Sequence, residues 1–310
     1  MGLRFATLPD AAAARVTPVH KIGMPDIELI RPEPQQVPEL ARICFEAFKR
    51  IHERHSFPPD IPNIELAGHI MGLLVSGKNF YGVAARVNGR LVGSNFISCT
   101  DPVGGVGPIT VDPAFEGRGV GRALMKAVLD YAQQKGMEQV RLLQDSFNTK
   151  SLSLYASLGF DVRTPVGLLD ARPALTADST VRPATTADLP VLDDLSRRLY
   201  PCSRRGEIVM LMGMNVPVFV REHGGKIPGY FVPGFLGHGV AETEADALAL
   251  IGETMRRVPP EFAVFFCPLV LGNFYRAILK SGHRLRKIMT YMTLGPYEPP
   301  RGIWLPSIGY

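Results

Sequence analysis

The feature that most constrains the fold of this 310-residue chain is an internal repeat. Residues 30–40 pass from Ile-Arg-Pro into a helical pattern, and residues 181–192 repeat that passage beginning with Val-Arg-Pro. Such an echo predicts that one domain fold occurs twice. We expect an N-terminal lead-in over residues 1–23, a first repeat over residues 24–170 and a second repeat over residues 171–310. The polar, proline-containing stretch 166–178 is the predicted linker.

Composition excludes several classes of protein. Lys and Arg total 34 against 29 for Asp and Glu, but they are scattered, whereas nucleic-acid binding favours a basic stripe with stacking aromatics. No run of ~18 apolar residues predicts a membrane span. The four cysteines lie far apart without metal-ligand spacing, so we expect neither a metal site nor disulfides, and a reducing cytoplasm.

Local patterns predict an α/β fold with a mixed sheet. Asn88-Gly89 between the β-rich runs 79–87 and 90–98 is a specific hairpin signal. The first repeat then reads β-α-α-β-β-β-α-β-α-β, with helices on both faces of the sheet. The remaining predicted elements are a strand over 106–111, a helix over 119–135, a strand over 138–143, a helix from 148 and a strand from 160.

The segment 111–125 predicts a strand, a glycine turn and a helix. Gly117, Gly119 and Gly121 would let backbone N–H groups converge at the positive end of the helix dipole, which suits a diphosphate. Arg118, Arg122 and Lys126 would line one side of the same helix. The alternative is that these are ordinary turn and packing glycines. A dinucleotide-binding unit is disfavoured because the segment follows a hairpin instead of opening a parallel βαβ unit.

Two motifs carry a resemblance to the GNAT acetyltransferase family. Residues 116–121 read Glu-Gly-Arg-Gly-Val-Gly and are similar to the family's Gln/Arg-x-x-Gly-x-Gly/Ala, with Glu116 at the first position. Residues 148–160 are similar to its Asn-x-x-Ala-x-x-Leu-Tyr-x-x-x-Gly-Phe, with Ser151 in place of Ala. The resemblance implies two tandem acyl-CoA N-acyltransferase folds, of which the second is degenerate.

The resemblance also implies roles for particular residues. Acetyl-CoA would be the co-substrate, and Tyr155 would be the general acid that protonates the departing thiolate. The backbone N–H of Ile109 would polarise the thioester carbonyl. Either coenzyme contact or helix capping, or both, would explain Asn148, and a packed aromatic is the alternative for Tyr155. The implied coenzyme-binding residues are Ile109, Thr110, Val111, Glu116, Gly117, Arg118, Gly119, Val120, Gly121, Arg122, Asn148, Ser151 and Tyr155.

The implied function is transfer of an acetyl group to a primary amine by direct attack in a ternary complex. The acceptor is a small molecule or a peptide, a general base is not identified, and a homodimer is left open. The polar loop 51–60 offers acceptor contacts from His52, Glu53, His55 and Asp60, or it is simply solvated. The alternative function, motivated by a carboxylate at Glu116, is a non-catalytic acyl-CoA-binding or regulatory module.

The second repeat lacks the corresponding chemistry. Its turn carries Glu242, Glu244 and Asp246 where phosphate would bind, and Ile278 stands where Tyr155 stands in the first repeat. We therefore expect a domain that shapes the acceptor cleft or an oligomer surface. The only tryptophan, Trp304, lies in a C-terminal segment that either packs on a domain junction or is a loose tail.

Overall fold

The computed structural model describes residues 26–309, so the predicted lead-in over residues 1–23 lies outside the described residues. Contacts between residues divide the chain into two compact units. The first unit comprises residues 26–97 and 106–138, and the second comprises residues 98–105 and 139–309. This division does not follow the two sequence repeats, so the boundary at residue 170 remains a prediction about the repeat.

The described residues form a mixed α/β fold. In chain order, the strands of residues 26–309 are β1 Ile27–Ile30, β2 Phe80–Val87, β3 Arg90–Ser98, β4 Val103–Gly105, β5 Thr110–Val111, β6 Gln139–Asp145, β7 Asp161–Asp170, β8 Val181–Pro183, β9 Phe219–His223, β10 Lys226–Phe231, β11 Gly239–Ala241, β12 Val264–Pro268, β13 Arg284–Leu294 and β14 Ile303–Leu305. The α-helices are α1 Val37–Arg54, α2 Ile64–Ser76, α3 Val120–Gln134, α4 Thr149–Ser157, α5 Leu189–Leu199, α6 Arg205–Gly213, α7 Glu244–Arg257 and α8 Gly272–Lys280.

The first unit is a four-stranded sheet in the order β1-β2-β3-β5. Asn88 and Gly89 join β2 to β3 with φ of 51° and 76°, the left-handed pair that a tight hairpin turn requires, so the predicted hairpin is confirmed. Helices α1 and α2 cover one region of this sheet through a buried cluster that includes Leu40, Met71 and Phe96. In this strand order β5 is at one end of the sheet.

The second unit contains a five-stranded sheet in the order β12-β7-β13-β6-β4. Strand β13, from the second repeat, lies between β7 and β6 of the first repeat and is antiparallel to both. Strand β7 in turn lies between β12 and β13 of the second repeat. The two repeats therefore each supply a strand to the interior of one shared sheet.

A second five-stranded sheet of the same unit has the order β14-β11-β10-β9-β8. Trp304 lies in β14, which is antiparallel to β11, and its side chain is buried. The C-terminal segment is thus part of a sheet, and the alternative of a loose tail was wrong. Within residues 26–309, no helix is both long and apolar enough to cross a membrane.

Two predicted boundaries were wrong. Of the strand predicted over 106–111, only β5 at its end is a strand, because Pro108 has no N–H to donate to a strand ladder and Gly107 adopts a φ of 141°. The predicted linker from residue 166 begins too early, since β7 continues to Asp170. There the backbone of residues 166–170 pairs with β12 and β13, which lie far away in the sequence.

Candidate active site

The glycine turn of the first unit opens helix α3 as the sequence predicts. Asp112 begins a short 3-10 turn over Pro113–Phe115, and its side chain accepts a hydrogen bond from the Ala114 N–H at 2.9 Å. Gly117 and Gly119 follow with φ of 75° and 85°. Both values lie in the left-handed region that side chains with a Cβ rarely adopt, so the turn depends on glycine at these two positions.

The entrance to α3 can receive an anion. Gly119 is the N-cap, and the first turn of the helix contains no acidic residue. The first N–H groups of an α-helix have no carbonyl partner within the helix, and the helix dipole is positive there. Residues 116–118 and Arg122 are exposed, whereas Val120 is buried beneath the turn. Backbone donors and exposed guanidinium groups therefore occur at the same helix end.

Arg118 is held at the turn by an aromatic ring. Its guanidinium carbon lies 5.4 Å from the ring centroid of Phe115, and the guanidinium carbon of Arg90 lies 5.7 Å from the same centroid. Arginine groups at this distance are attracted to the ring face. The contact restricts Arg118 to the neighbourhood of the turn while leaving it exposed.

Asp112 anchors the base of the turn. Its side chain is buried, and it accepts hydrogen bonds from Arg90 at 2.9 Å and from Arg42 at 3.3 Å. Burial raises the pKa of Asp112, but the hydrogen bond from Ala114 and the two arginines together lower that pKa below its usual value. The carboxylate is therefore ionised at neutral pH.

Strand β5 presents one edge without a partner strand in the first unit. It pairs with β3 through Ser94 opposite Thr110, and the Asp112 N–H donates to the Val92 carbonyl at 2.8 Å. Amide groups alternate sides along a strand, so the N–H of Val111 faces away from β3. Thr110 is buried, whereas Ile109 and Val111 are half-buried. This edge can pair with an extended amide-containing ligand.

Helix α4 of the second unit carries the other predicted residues. Asn148 caps the helix, and its side chain accepts a hydrogen bond from the Ser151 N–H at 3.2 Å. Tyr155 lies one turn further along the helix, is only 5% exposed and packs against the Phe160 ring. Burial raises the pKa of Tyr155 to about 12, so the phenol is protonated at neutral pH.

The last turn of α1 and the loop that follows it bring together two of the four polar residues expected in residues 51–60. His52 is buried, its Nδ1–H donates to the Phe48 carbonyl at 2.8 Å, and its Nε2 lies 3.5 Å from Oδ2 of Asp60. Glu53 and His55 are exposed on the surface of the first unit. The sequence did not distinguish the buried His52 from the exposed His55, because the difference depends on how the loop folds back.

Sequence reasoning missed two buried polar residues at the end of β6. Asp145 forms an ion pair with Lys287 of β13, whose Nζ lies 2.5 Å from Oδ1 of Asp145. Gln144 is buried, and within residues 26–309 its amide group has no hydrogen-bond partner. No local signal could reveal the ion pair, since its members are 142 residues apart, the difference between 287 and 145.

The structure thus groups the predicted residues in two sets. Ile109, Thr110, Val111 and the turn residues 116–122 belong to the first unit. Asn148, Ser151 and Tyr155 belong to the second unit, where Asn148 caps α4 and the other two lie on that helix.

Comparison with known proteins supports the family expected from the motifs. Residues 35–160 match the Acetyltransferase (GNAT) family, a range that contains both the glycine turn and α4. A mycothiol acetyltransferase from Propionibacterium freudenreichii subsp. shermanii is 38% identical over 97 residues, which are 30% of this chain and 31% of that protein. The N-alpha-acetyltransferase RimI of Mycobacterium tuberculosis is 41% identical over 108 residues, which are 34% of this chain and 61% of that protein. The chain therefore matches less than two thirds of the length of these relatives.

Solved structures extend the likeness in fold over most of the chain. A Pyrococcus horikoshii protein described as an acetyltransferase has a TM-score of 0.71 at 14% identity, covering 91% of this chain and 93% of its own. A GCN5-related N-acetyltransferase from Sphaerobacter thermophilus has a TM-score of 0.57 at 16% identity, covering 91% of this chain and 98% of its own. At such low identity the likeness establishes the fold alone.

Proposed function

We propose that this protein is an N-acetyltransferase that transfers the acetyl group of acetyl-CoA to a primary amine by direct attack in a ternary complex. The observation that carries the proposal is the pair of left-handed glycines, Gly117 and Gly119, which open α3 at a helix end free of acidic residues in its first turn. The match of residues 35–160 to the family adds support.

The turn binds the diphosphate of the coenzyme. Backbone N–H groups from Gly117 to Arg122 donate to the phosphate oxygens, and Arg118 and Arg122 neutralise their charge. A Cβ at Gly117 would meet no other atom within 4 Å, so the space above the turn is available to a ligand. The exposed carboxylate of Glu116 repels phosphate, and the turn binds in spite of it.

The open edge of β5 binds the pantetheine arm, in the manner of an added strand. Acetyl-CoA, when bound, supplies the reactive thioester. The backbone N–H of Ile109 polarises its carbonyl, because a donor placed where negative charge develops stabilises the transition state. The side chain of residue 109 plays no part in this role.

Tyr155 donates the proton that the thiolate acquires on leaving. Its pKa of about 12 keeps the phenol protonated through the working pH range, and packing against the Phe160 ring restricts its direction. The same raised pKa makes it a weaker acid than an ordinary phenol, so the proton is transferred only as the thiolate departs. The attacking amine loses its own proton to water. His52 is fully buried, so it does not contact the acceptor as the sequence suggested.

The second repeat is a GNAT-like domain that does not catalyse. At the position of the glycine turn, Thr243 caps α7 by accepting a hydrogen bond from the Asp246 N–H. Asp246 is buried and paired with Arg221 at 2.9 Å, so its carboxylate has a structural use. Ile278, at the position of Tyr155, is a buried apolar residue of α8. These features support a domain whose coenzyme site has been lost.

A thiol-release assay with purified protein and acetyl-CoA tests the proposal. The names of the relatives suggest two acceptor classes, a mycothiol-type small molecule and a peptide with a free α-amino group. We expect coenzyme thiol to appear with at least one amine, above the rate without amine. No release with any primary amine, together with binding heat for acetyl-CoA, would favour the acyl-CoA-binding module. Absence of both would refute any coenzyme role.

Several expectations from the sequence remain predictions: a cytoplasmic location, a reaction without metal and no nucleic-acid partner. A homodimer stays open, and size-exclusion chromatography with light scattering measures the oligomeric state directly.

A further inference from the structure

Strand β13 of the second repeat is fastened to the segment that leads into α4. The Ser146 N–H donates to the Ile288 carbonyl at 3.2 Å, and the Ser146 and Thr290 hydroxyls lie 2.8 Å apart. Immediately before Ser146, Asp145 pairs with Lys287. Two hydrogen bonds and one ion pair therefore hold residues 145–146 to β13.

A chain of hydrogen bonds continues from this segment into α4, the helix that carries Tyr155. The Asp145 carbonyl accepts from the Asn148 N–H at 2.9 Å, and the Asn148 side chain accepts from the Ser151 N–H at 3.2 Å. Tyr155 lies one turn further along the same helix. The position of Asp145 thus helps to fix where α4 begins and, through the helix, where the phenol lies.

Burial of the Lys287–Asp145 ion pair costs free energy, because both groups lose their hydration. The side chain of Lys287 is 1% exposed and that of Asp145 is 9% exposed, so both charges are removed from water. A buried ion pair contributes little more to stability than apolar residues of the same size, although it selects one arrangement of the chain. The pairing of β13 with β7 shifts register between Leu285 and Lys287. Lys287 therefore lies opposite a different residue of β7 than it would in regular pairing.

We propose that Lys287 is a positioning residue of the first repeat's reaction, supplied by the second repeat: through Asp145 it fixes the start of α4 and hence the position of Tyr155. This inference rests on the proposed function, because it assumes that Tyr155 acts in acetyl transfer. On this proposal the second repeat is more than a degenerate copy, because it contributes a residue that positions the catalytic group of the first repeat.

The test compares Lys287→Met, which keeps the length of the side chain and removes its charge, with Lys287→Arg, which keeps the charge. We expect Lys287→Met to lower kcat between about ten- and a hundred-fold, as displacement of a reacting group does. The KM for acetyl-CoA should change less than about threefold, since the phosphate-binding turn is untouched. Lys287→Arg should recover most of the lost kcat. The control is Lys280→Met, an exposed lysine at the end of α8.

A double variant, Asp145→Leu with Lys287→Met, separates positioning from stability. Removing both charges should restore the midpoint of thermal unfolding that the single variant loses, because no buried carboxylate is left without its ammonium partner. Its kcat should stay low. Recovery of kcat together with stability would overturn the proposal, as would a folded Lys287→Met protein with unchanged kcat.

Hydrogen exchange gives a readout that does not depend on activity. Lys287→Met should speed exchange of amides in residues 146–157 while leaving α3 as protected as in the unaltered protein. If the unaltered protein shows no acetyl transfer, the proposed function fails, and hydrogen exchange still decides whether Lys287 orders α4. An exchange increase spread evenly over both units would overturn the positioning role.

Discussion

The Nη2 of Arg90 lies 2.9 Å from Oδ2 of Asp112, which ties the first residue of β3 to the residue that starts the glycine turn. The Arg90 side chain is 56% exposed, whereas that of Asp112 is 6% exposed. An exposed cation thus reaches a buried carboxylate that also accepts the Ala114 N–H. This ion pair therefore joins the β2–β3 hairpin to the glycine turn, although the two are separate motifs in the sequence.

Replacing Asp112 by Asn should destabilise the protein by about 1–3 kcal/mol, because a buried acceptor that bonds two arginines loses its charge. Equilibrium unfolding in urea measures this change. Glu46→Gln is the matched control: Glu46, whose side chain is 44% exposed, also pairs with Arg42, at 2.6 Å, and its replacement should cost less than about 1 kcal/mol. Equal losses from the two variants would show that burial of Asp112 does not matter.

The glycine turn makes a separate prediction about coenzyme affinity. Gly117 and Gly89 have nearly the same φ, 75° and 76°, and a Cβ at either would meet no other atom within 4 Å. Alanine should therefore strain both backbones equally, by roughly 1–2 kcal/mol. Only Gly117→Ala should also weaken the binding of acetyl-CoA, by about tenfold. Relief of the strain at residue 117 shifts backbone N–H groups that bind the diphosphate, whereas residue 89 lies in the hairpin turn.

Calorimetric titration of both variants measures this difference. If Gly89→Ala weakened coenzyme binding as much as Gly117→Ala, the effect would be a general consequence of lost stability. If neither changed the affinity, the turn would not be the phosphate site.

The elements that could be predicted from the sequence are those determined by a few neighbouring residues. Asn88-Gly89 requires a tight turn, and Asn148 caps a helix whichever strands surround it. The placement of β13 between β6 and β7 could not be predicted, because any apolar strand of suitable length satisfies the same pattern. The Lys287–Asp145 pair depends on that placement, and so this part of the site was invisible in the sequence.

Tyr155→Phe should reduce kcat by about 10²-fold or more if the phenol is the general acid. Coenzyme affinity should stay nearly constant, since the ring still packs against Phe160. Steady-state rates and calorimetry measure the two quantities. Tyr275→Phe is the control, because Tyr275 lies on α8, the helix that occupies the place of α4 in the second repeat.

The raised pKa of Tyr155 adds a pH dependence. The acid is active while protonated and is lost as pH rises through its pKa, so the rate should not fall at pH 10 on its account. Ionisation near pH 12, followed by absorbance at 295 nm in the difference spectrum between the unaltered protein and Tyr155→Phe, checks this. A difference spectrum with a midpoint at the ordinary tyrosine value would contradict the buried environment.

His283 should make the stability of the protein depend on pH in the acid range. Its Nδ1 accepts the Arg172 N–H at 2.9 Å, and it is 4% exposed. Burial, with the nearby Arg172 charge, lowers its pKa from 6.5 to about 4. As pH falls below 6.5 the unfolded chain binds a proton that the folded protein refuses, so stability is lost between pH 6.5 and about 4. The loss reaches at most about 3 kcal/mol.

Urea unfolding across this pH range, compared between the unaltered protein and His283→Asn, isolates the contribution. Asn can still accept the Arg172 N–H but does not titrate, so the variant should be less stable at pH 7 and should lose less stability on acidification. His69→Asn, an exposed histidine on α2, is the control and should leave the slope of stability against pH unchanged. Because His283 directly precedes β13, a flat profile in the unaltered protein would mean that this end of the shared sheet opens to water well before the protein unfolds.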